Sequence, residues 1–163
     1  MEVIKNTSHM GILIIKEIDR KLAKEIIINN HYSHKWNTPF GKYNFGIFRD
    51  GVLLGVASYG QMMNPKAKIF KSNNPNGWMI ELNRMWIDDT LGHNAETVLI
   101  GASLKLLNKL DPNIVAVQSF ADGRLGCGTI YKASNFKYYG YCESIFWENL
   151  KTGIILHNLP LTN

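Results

Sequence analysis

One stretch of the sequence combines a strand pattern, a helical pattern and a second strand pattern, and this order constrains the fold more than any other feature. Trp78 to Ile87 alternates its side chains with a period of two, as a strand does. Asn94 to Leu110 spaces its apolar residues for a helix, and the side-chain oxygen of Asn94 is the expected N-cap acceptor. Pro112 ends this helix, and Ile114 to Val117 is typical of a buried strand. The unit predicts two parallel strands joined by a crossover helix, within an α/β fold.

A hairpin precedes this unit. The dipeptide Asp50-Gly51 separates two strand-like runs and favours the positive φ angles of a tight turn. The other predicted elements, in chain order, are a strand, a helix, a loop, the two hairpin strands, a lysine-containing loop, a helix and two strands: Gly11 to Lys16, Glu17 to Asn30, residues 31 to 42, Tyr43 to Phe48, Val52 to Tyr59, residues 61 to 77, Thr129 to Asn135, Tyr138 to Cys142 and Ser144 to Trp147.

The composition indicates one folded domain, which we expect to span residues 1–163. Hydrophobic residues make up 45% of the chain and charged residues 19%, which excludes a disordered or fibrous protein. A net charge of +5 permits a polyanionic partner without requiring one. Two cysteines are too few for a disulfide scaffold, and no apolar run reaches the roughly 18 residues of a membrane span. With no apolar signal segment at the start, we expect a soluble cytoplasmic protein without a membrane partner.

Two charged residues mark candidate sites on the predicted sheet. Alternation along the first parallel strand assigns its side chains to two faces, one with Leu82, Arg84 and Trp86 and the other with Glu81, Asn83 and Met85. A guanidinium buried on such a strand requires an anionic ligand or an acid, for which Glu96 and Asp122 are candidates. Asp122 follows the second parallel strand, where α/β sheets bind ligands, although an aspartate before glycine is more often a turn residue.

The start of the crossover helix is a candidate anion site, because its first amides lack acceptors and the helix dipole is positive there. Ordinary capping is the simpler explanation of the same residues, 91 to 97, because every helix has an N-terminus. Upstream, His31, Tyr32 and His34 lie in a loop of a length that is often functional. Two histidines alone do not make a metal site, so an ordinary surface loop is the competing interpretation. Cys127, between two glycines, is interpreted as a turn residue rather than a nucleophile.

Tyrosines and lysines alternate near the end of the sequence. Aromatic rings beside basic side chains are typical of surfaces that stack on nucleic-acid bases, but core packing explains most of these rings. The residues are Tyr131, Lys132, Lys137, Tyr138, Tyr139 and Tyr141.

Taken together, these residues resemble a known family. The order of elements is similar to the fold of the GNAT superfamily of N-acetyltransferases, in which acetyl-CoA lies between two splayed parallel strands with its pyrophosphate on the following helix. Four segments resemble more specifically the phage Mom proteins, a family of DNA adenine modification proteins (methylcarbamoylases): His31 to Ser33, Glu81 to Arg84, Leu91 to Glu96, and the run from Ser119 to Phe136. The resemblance covers residues 28 to 147.

The resemblance implies an acyltransferase-type enzyme that modifies double-stranded DNA. Such an enzyme places an acetyl-CoA-derived methylcarbamoyl group on the exocyclic amine of a flipped-out adenine and so protects phage DNA from host restriction. The resemblance implies catalytic roles for Asp122, Tyr131, Arg84, His31 and Tyr32, acetyl-CoA binding by Arg84, Asn94, Ala95, Glu96 and Thr97, and an iron ion on His31, Tyr32 and Asp122.

Two other functions are compatible with the same residues. The loop at residues 92 to 97 departs from the Gln/Arg-x-x-Gly-x-Gly/Ala pattern usual at the GNAT pyrophosphate. An acetyl-CoA-dependent N-acetyltransferase acting on a small-molecule or protein amine is therefore one alternative, and it would acetylate a free amine without DNA. A non-catalytic DNA-binding module is the other, and it would bind DNA but not acetyl-CoA.

Overall fold

Six strands form one mixed sheet in chain order in the computed structural model, which describes residues 1–62, 72–123, 126–143 and 146–157. Neighbours from β1 to β5 pair antiparallel, β5 and β6 pair parallel, and β7 and β8 form a separate antiparallel pair. The elements are β1 (Glu2–Thr7), β2 (Gly11–Glu17), α1 (Arg20–Asn30), β3 (Tyr43–Arg49), β4 (Val52–Gly60), β5 (Trp78–Ile87), a 3₁₀ turn (Asp89–Leu91), α2 (Ala95–Leu110), β6 (Ile114–Gln118), α3 (Thr129–Ala133), β7 (Phe146–Glu148) and β8 (Ile155–His157).

The crossover and the hairpin are confirmed. The helix α2 connects β5 to the parallel strand β6, as the order of patterns predicted. At the hairpin turn, Asp50 and Gly51 have φ angles of 52° and 79°. Glycine and aspartate tolerate this left-handed region better than most residues do, so the dipeptide selects the turn.

The two long helices cover opposite faces of the sheet. Buried side chains of α2 pack with the main core on one face, which we call the α2 face; they include Leu99, Ile100, Leu106 and Leu107. On the other, the α1 face, Ala23 and Ile27 pack against Val56 of β4 and the partly buried Trp86 of β5. Within the described residues, no helix is both long and apolar enough to traverse a bilayer.

Three predicted elements differ from the structure. The strand β1 was not predicted, and α1 begins at Arg20 rather than Glu17 because the Asp19 side chain accepts a hydrogen bond from the Lys21 amide and caps the helix there. The predicted strand from Tyr138 to Cys142 is wrong, because this segment has no regular structure. The predicted strand from Ser144 to Trp147 falls partly outside the described residues and is represented by β7.

The face assignment along β5 is wrong, and a β-bulge is the reason. Ser58 of β4 pairs with Arg84, and the next residue, Tyr59, pairs with Leu82, so Asn83 is an extra residue on β5. Because side chains alternate with period two, one extra residue reverses the phase of everything after it. Leu82 therefore belongs to the core of the α2 face, whereas Arg84 lies on the α1 face.

Candidate active site

The parallel strands β5 and β6, at one edge of the sheet, pair over only part of the length of β5. Their last paired residues are Glu81 and Gln118, and β6 ends there while β5 continues for six more residues. These two residues are also joined by a side-chain hydrogen bond, in which the Gln118 amide donates to Glu81 Oε2 at 3.0 Å. Beyond it, Ser119 Oγ donates to the carbonyl of Leu82 at 3.5 Å. Past this point, residues 82–87 of β5 pair with β4 but with no strand on the other side in the described part of the chain.

The start of α2 follows β5 directly and leaves its first amides open. Gly92, with φ 79° and ψ −164°, adopts a conformation essentially restricted to glycine. Asn94 is the N-cap residue, but the predicted capping bond is wrong, because Asn94 is left-handed (φ 68°) and its side chain makes no cap hydrogen bond. Ala95 is buried, and Glu96 and Thr97 are half-buried. The amides of the first turn are thus not satisfied by this side chain and remain available to an anion.

Arg84 is half-buried on the α1 face. Its guanidinium lies 4.7 Å from the centre of the Phe40 ring, and one of its terminal amino groups donates to the Asn83 carbonyl at 2.6 Å. The buried Nε finds no hydrogen-bond partner in the described part of the chain. Burial lowers the pKa of Arg84, and the neighbouring Tyr32, Glu81 and Tyr131 act in the opposite direction.

Glu81, which sequence analysis did not propose as a partner, is a carboxylate that acts on Arg84. Glu81 is itself buried, and it accepts from the Asn83 side-chain amide at 3.4 Å as well as from Gln118. Alternation had assigned it to the opposite face, so this residue was missed. Its only sequence signal was a carboxylate three residues from an arginine in one strand.

His31 ends α1 and is buried beside Arg84. Its amide donates to the Ile27 carbonyl at 3.0 Å, and its side chain is 9% exposed. The Ser33 amide donates to His31 Nδ1 at 3.1 Å, so in the neutral ring the proton lies on Nε2. Burial, Arg84 and His34 lower the pKa of His31 to about 4. The ring is therefore neutral at pH 7, and it is not the surface histidine of the competing interpretation.

Tyr32 and Tyr131 border the same region. The Tyr32 ring lies 4.3 Å from the His31 ring, and the Tyr32 side chain is 62% exposed. Tyr131 lies on α3, packs edge-on against Phe136 at 5.6 Å, and acts electrostatically on both Arg84 and the buried Tyr59. The structure thus brings together three other predicted residues, His31, Tyr32 and Tyr131, around Arg84.

Asp122 is half-buried in the segment after β6, four residues past Gln118, and it interacts with neighbouring groups. Ser119 holds the start of this segment against β5. Cys127 is exposed in a turn whose flanking glycines have φ angles of 149° and 72°, which agrees with its interpretation as a turn residue. A wide cleft of about 830 Å³ lies between the start of α1 and residues 38–44; it shares Phe40 with the Arg84 site but does not include His31 or Arg84.

A family model described as the Mom protein family matches residues 12–163 of this chain. The chain belongs to the Mom protein family. One relative within it, "Methylcarbamoylase mom" of Escherichia phage Mu, is 38% identical over 140 residues, which cover 83% of this chain. The chain spans 57% of the length of that curated relative.

Solved structures similar to this Mom family member have the GNAT acetyltransferase fold. AAC(6')-Iy in complex with a bisubstrate analogue, CoA-S-monomethyl-acetylneamine, has a TM-score of 0.56 and 10% identity over 84% of this chain and 97% of its own. A possible acetyltransferase from Clostridium difficile 630 has a TM-score of 0.56 and 12% identity over 80% and 94%. Aminoglycoside 6'-N-acetyltransferase AAC(6')-Ih from Acinetobacter baumannii has a TM-score of 0.55 and 10% identity over 85% and 99%. At these identities the likeness establishes the fold alone.

The described residues do not support the iron site that the Mom resemblance implied. His31 Nδ1 accepts a hydrogen bond from the Ser33 amide, which leaves Nε2 as the nitrogen for a ligand, and the Arg84 cation already lowers the pKa of the imidazole. A metal cation in the same place would add a second positive charge beside Arg84. No group of three or more His, Cys, Asp or Glu side chains suited to a metal occurs among the described residues. We therefore derive no step through a metal.

Proposed function

We propose that this Mom family member places an acetyl-CoA-derived methylcarbamoyl group on the exocyclic amine of adenine in double-stranded DNA, and so shields phage DNA in the host cytoplasm from restriction. The 38% identity to a protein named as a methylcarbamoylase is the observation that carries this proposal. The gap between β5 and β6 supports it, because the residues His31, Tyr32, Arg84 and Tyr131 lie around it.

The open edge of β5 and the start of α2 are the groups that would hold acetyl-CoA. Backbone amides and carbonyls of residues 82–87 suit an extended, amide-containing chain, as a neighbouring strand would. The amides of Ala95, Glu96 and Thr97, next to the positive end of the helix dipole, suit a pyrophosphate. Bound there, acetyl-CoA supplies an activated acyl group. A methylcarbamoyl product also contains a nitrogen, which these residues do not account for.

Adenine presents two difficulties that the site residues would overcome. Its exocyclic amine is a weak nucleophile because the lone pair is delocalised into the ring. In duplex DNA the base also has to leave the stack to be reached. In this proposal Asp122 orients or deprotonates the amine, Arg84 stabilises negative charge, and Tyr131 donates a proton or positions the reacting group. Neutral His31 donates through Nε2, and Tyr32 closes the mouth of the pocket.

DNA contacts would come from exposed lysines around the site. Lys35, Lys132 and Lys137 are exposed in the structure. From the sequence we also expect phosphate contacts from Lys66, Lys68 and Lys71 in the loop at residues 61 to 77 and from Arg124, which all lie outside the described residues. Because phosphate contacts release counterions, the affinity for DNA is expected to fall linearly with the logarithm of the salt concentration. Binding that does not respond to salt contradicts this part of the proposal.

Mass spectrometry of nucleosides from DNA of cells expressing the chain tests the function. We expect a deoxyadenosine heavier by one methylcarbamoyl group with the unaltered chain. With Asp122→Ala the yield falls by at least about 100-fold, since one acid–base group contributes roughly 10² to 10⁴. Asp89→Ala, which removes an exposed carboxylate on the 3₁₀ turn, is the matched control and retains activity.

The same experiment separates the alternatives. Deoxyadenosine heavier by one acetyl group would establish simple acetyl transfer to DNA and overturn the methylcarbamoyl product. Unchanged deoxyadenosine, together with acetylation of a free amine in the absence of DNA, would identify an N-acetyltransferase of small-molecule or protein amines. DNA affinity with neither product nor binding of acetyl-CoA would identify a DNA-binding module without turnover.

A further inference from the structure

Three tyrosines near the end of the described chain lie almost entirely outside the core. Tyr138, Tyr139 and Tyr141 are 78%, 64% and 82% exposed, and residues 138–141, which we call the tyrosine segment, have no regular structure. Core packing, the explanation that the sequence favoured for these rings, is therefore wrong for all three. Three large rings exposed within four residues do not stabilise the fold, and exposed aromatic clusters of this kind mark binding surfaces.

The tyrosine segment borders the candidate active site. Phe136 packs against Tyr131 with 5.6 Å between ring centres, and Tyr131 acts electrostatically on Arg84. A chain spans at most about 3.6 Å per residue, so Tyr138 lies within roughly 7 Å of Phe136 and Tyr141 within roughly 18 Å, measured between Cα atoms. A base that enters the site would leave its neighbours in the DNA strand within a comparable distance of these rings.

Charge identifies the class of partner that the surface fits. Lys132 and Lys137 are exposed on the same stretch, and the chain carries a net charge of +5. Exposed aromatic rings interspersed with lysines are complementary to an unpaired nucleic-acid strand, whose bases offer flat faces and whose phosphates are anionic. A fully paired duplex offers phosphates but few base faces, so it would use the lysines and leave the rings unused.

We propose that the tyrosine segment is a stacking platform for the DNA bases that become exposed when the target adenine leaves the duplex. The inference rests on the proposed function, whose site it extends from the modified base to its neighbours. Each ring would replace part of the stacking that the flanking or opposite bases lose, which lowers the cost of extrusion. The hydroxyl groups are not required for this role, because the ring face makes the contact.

Fluorescence anisotropy with three labelled oligonucleotides tests the platform: a single strand, a duplex with an abasic site opposite one adenine, and the fully paired duplex. Leucine at all three positions (Tyr138→Leu, Tyr139→Leu, Tyr141→Leu) keeps apolar side chains but removes the rings. We expect at least about a tenfold loss of affinity for the first two DNAs, as for the loss of one or more stacked bases, and a much smaller change for the paired duplex. Phenylalanine at the same positions is the matched control and retains the affinity.

Equal affinity of the leucine variant and the unaltered chain for the single strand would overturn the platform, and so would an equal loss in the phenylalanine variant. A change in sedimentation without a change in DNA affinity would also overturn it and identify a contact between two copies of the chain. Tyr141→Leu alone, at the most exposed ring, provides the measurement if the triple variant does not fold. If the anisotropy result holds but no modified deoxyadenosine forms in cells, the proposed function fails, and the tyrosine segment is a surface for unpaired bases that has no role in adenine extrusion.

Discussion

The two halves of β5 have the same kind of sequence and different surroundings. Residues 78–81 pair with β6 on one side, and Ile80 is completely buried beneath α2. Residues 82–87 pair with β4 alone in the described part of the chain, and they begin with the bulge at Asn83 and with Arg84. Both halves contribute side chains to the core, including Leu82 of the second half, but only the second half leaves a row of backbone groups open to a ligand in the described part of the chain.

A single residue, Glu81, forms the boundary between the two halves. Glu81 is the last residue paired with β6, and it also accepts hydrogen bonds from Asn83 and Gln118 and acts on Arg84. One carboxylate thus connects the end of the paired region to the beginning of the candidate site. We expect replacement of Ile80 to change stability and replacement of Arg84 to change activity. Two measurements test this separation, and two more test the surroundings of the site at Gly92 and His31.

Replacing Ile80 tests the paired half and has the largest expected effect on stability. Ile80→Ala is expected to lower the free energy of unfolding by about 2–5 kcal/mol because it leaves a cavity under α2. Urea unfolding followed by circular dichroism measures this loss, and Ile80→Val, expected to cost about 0.5–1.5 kcal/mol, is the control. Loss of DNA modification per folded molecule in Ile80→Val would contradict the separation.

Replacing Arg84 tests the open half. Arg84→Met removes the guanidinium but keeps much of the aliphatic chain over Phe40, and we expect DNA modification to fall by about 100-fold, as for other groups that stabilise developing charge. The melting temperature is expected to change little, because Arg84 Nε is buried without a partner in the described residues. A fall in activity that merely follows a fall in melting temperature would assign Arg84 to the structure instead.

Replacing Gly92 tests the backbone conformation of the segment that precedes α2. Gly92→Ala is expected to cost about 1–3 kcal/mol of stability, because its φ of 79° with ψ of −164° is strained for any residue with a Cβ. A Cβ there would meet no atom within 4 Å, so the cost is one of backbone conformation. The control is Gly101→Ala inside α2, which also meets no atom and is expected to stabilise the helix. Equal melting temperatures for the two variants would contradict this explanation.

His31 gives the smallest effect, and it appears as a dependence of stability on pH. Its pKa is lowered from 6.5 to about 4 in the folded protein, so unfolding takes up a proton between these values. The contribution of neutral His31 to the free energy of unfolding is fully present above pH 6.5 and declines as the pH falls toward 4. Partial solvent access limits this loss to about 1 kcal/mol between pH 7 and pH 5. His31→Gln is expected to show a smaller decline in urea unfolding at the two pH values, and an equal decline would contradict the assignment.

Two kinds of element were predicted correctly from the sequence: those whose side chains alternate between buried and exposed environments, and those joined by a turn that requires particular residues. The crossover from β5 to β6 and the hairpin at Asp50-Gly51 are of these kinds. The edge strand β1 was missed because none of its residues is fully buried. The tyrosine segment was predicted as a strand from its residue types, but pairing partners decide strand formation, and tyrosine suits an exposed surface equally well.

The candidate site was predicted in part. His31, Tyr32, Arg84 and Tyr131 were named from the sequence, and the structure places them around one gap. Glu81 and Phe40 were not named. The alternation of side chains cannot locate a bulge, so Glu81 was assigned to the wrong face. Phe40 contacts Arg84 from a loop, and a loop has no regular spacing of residues from which its path could be predicted.

The open side of residues 82–87 has a consequence for how the protein behaves without a ligand. Unpaired strand edges are templates for unwanted pairing with other chains, and folded proteins usually cover or interrupt them. Here β6, the last strand of the sheet, covers residues 78–81 of β5 and ends before residues 82–87, so it shortens the open edge without removing it. A ligand bound along residues 82–87 would therefore also protect the protein against aggregation, and the rate of aggregation would fall as the ligand concentration rises.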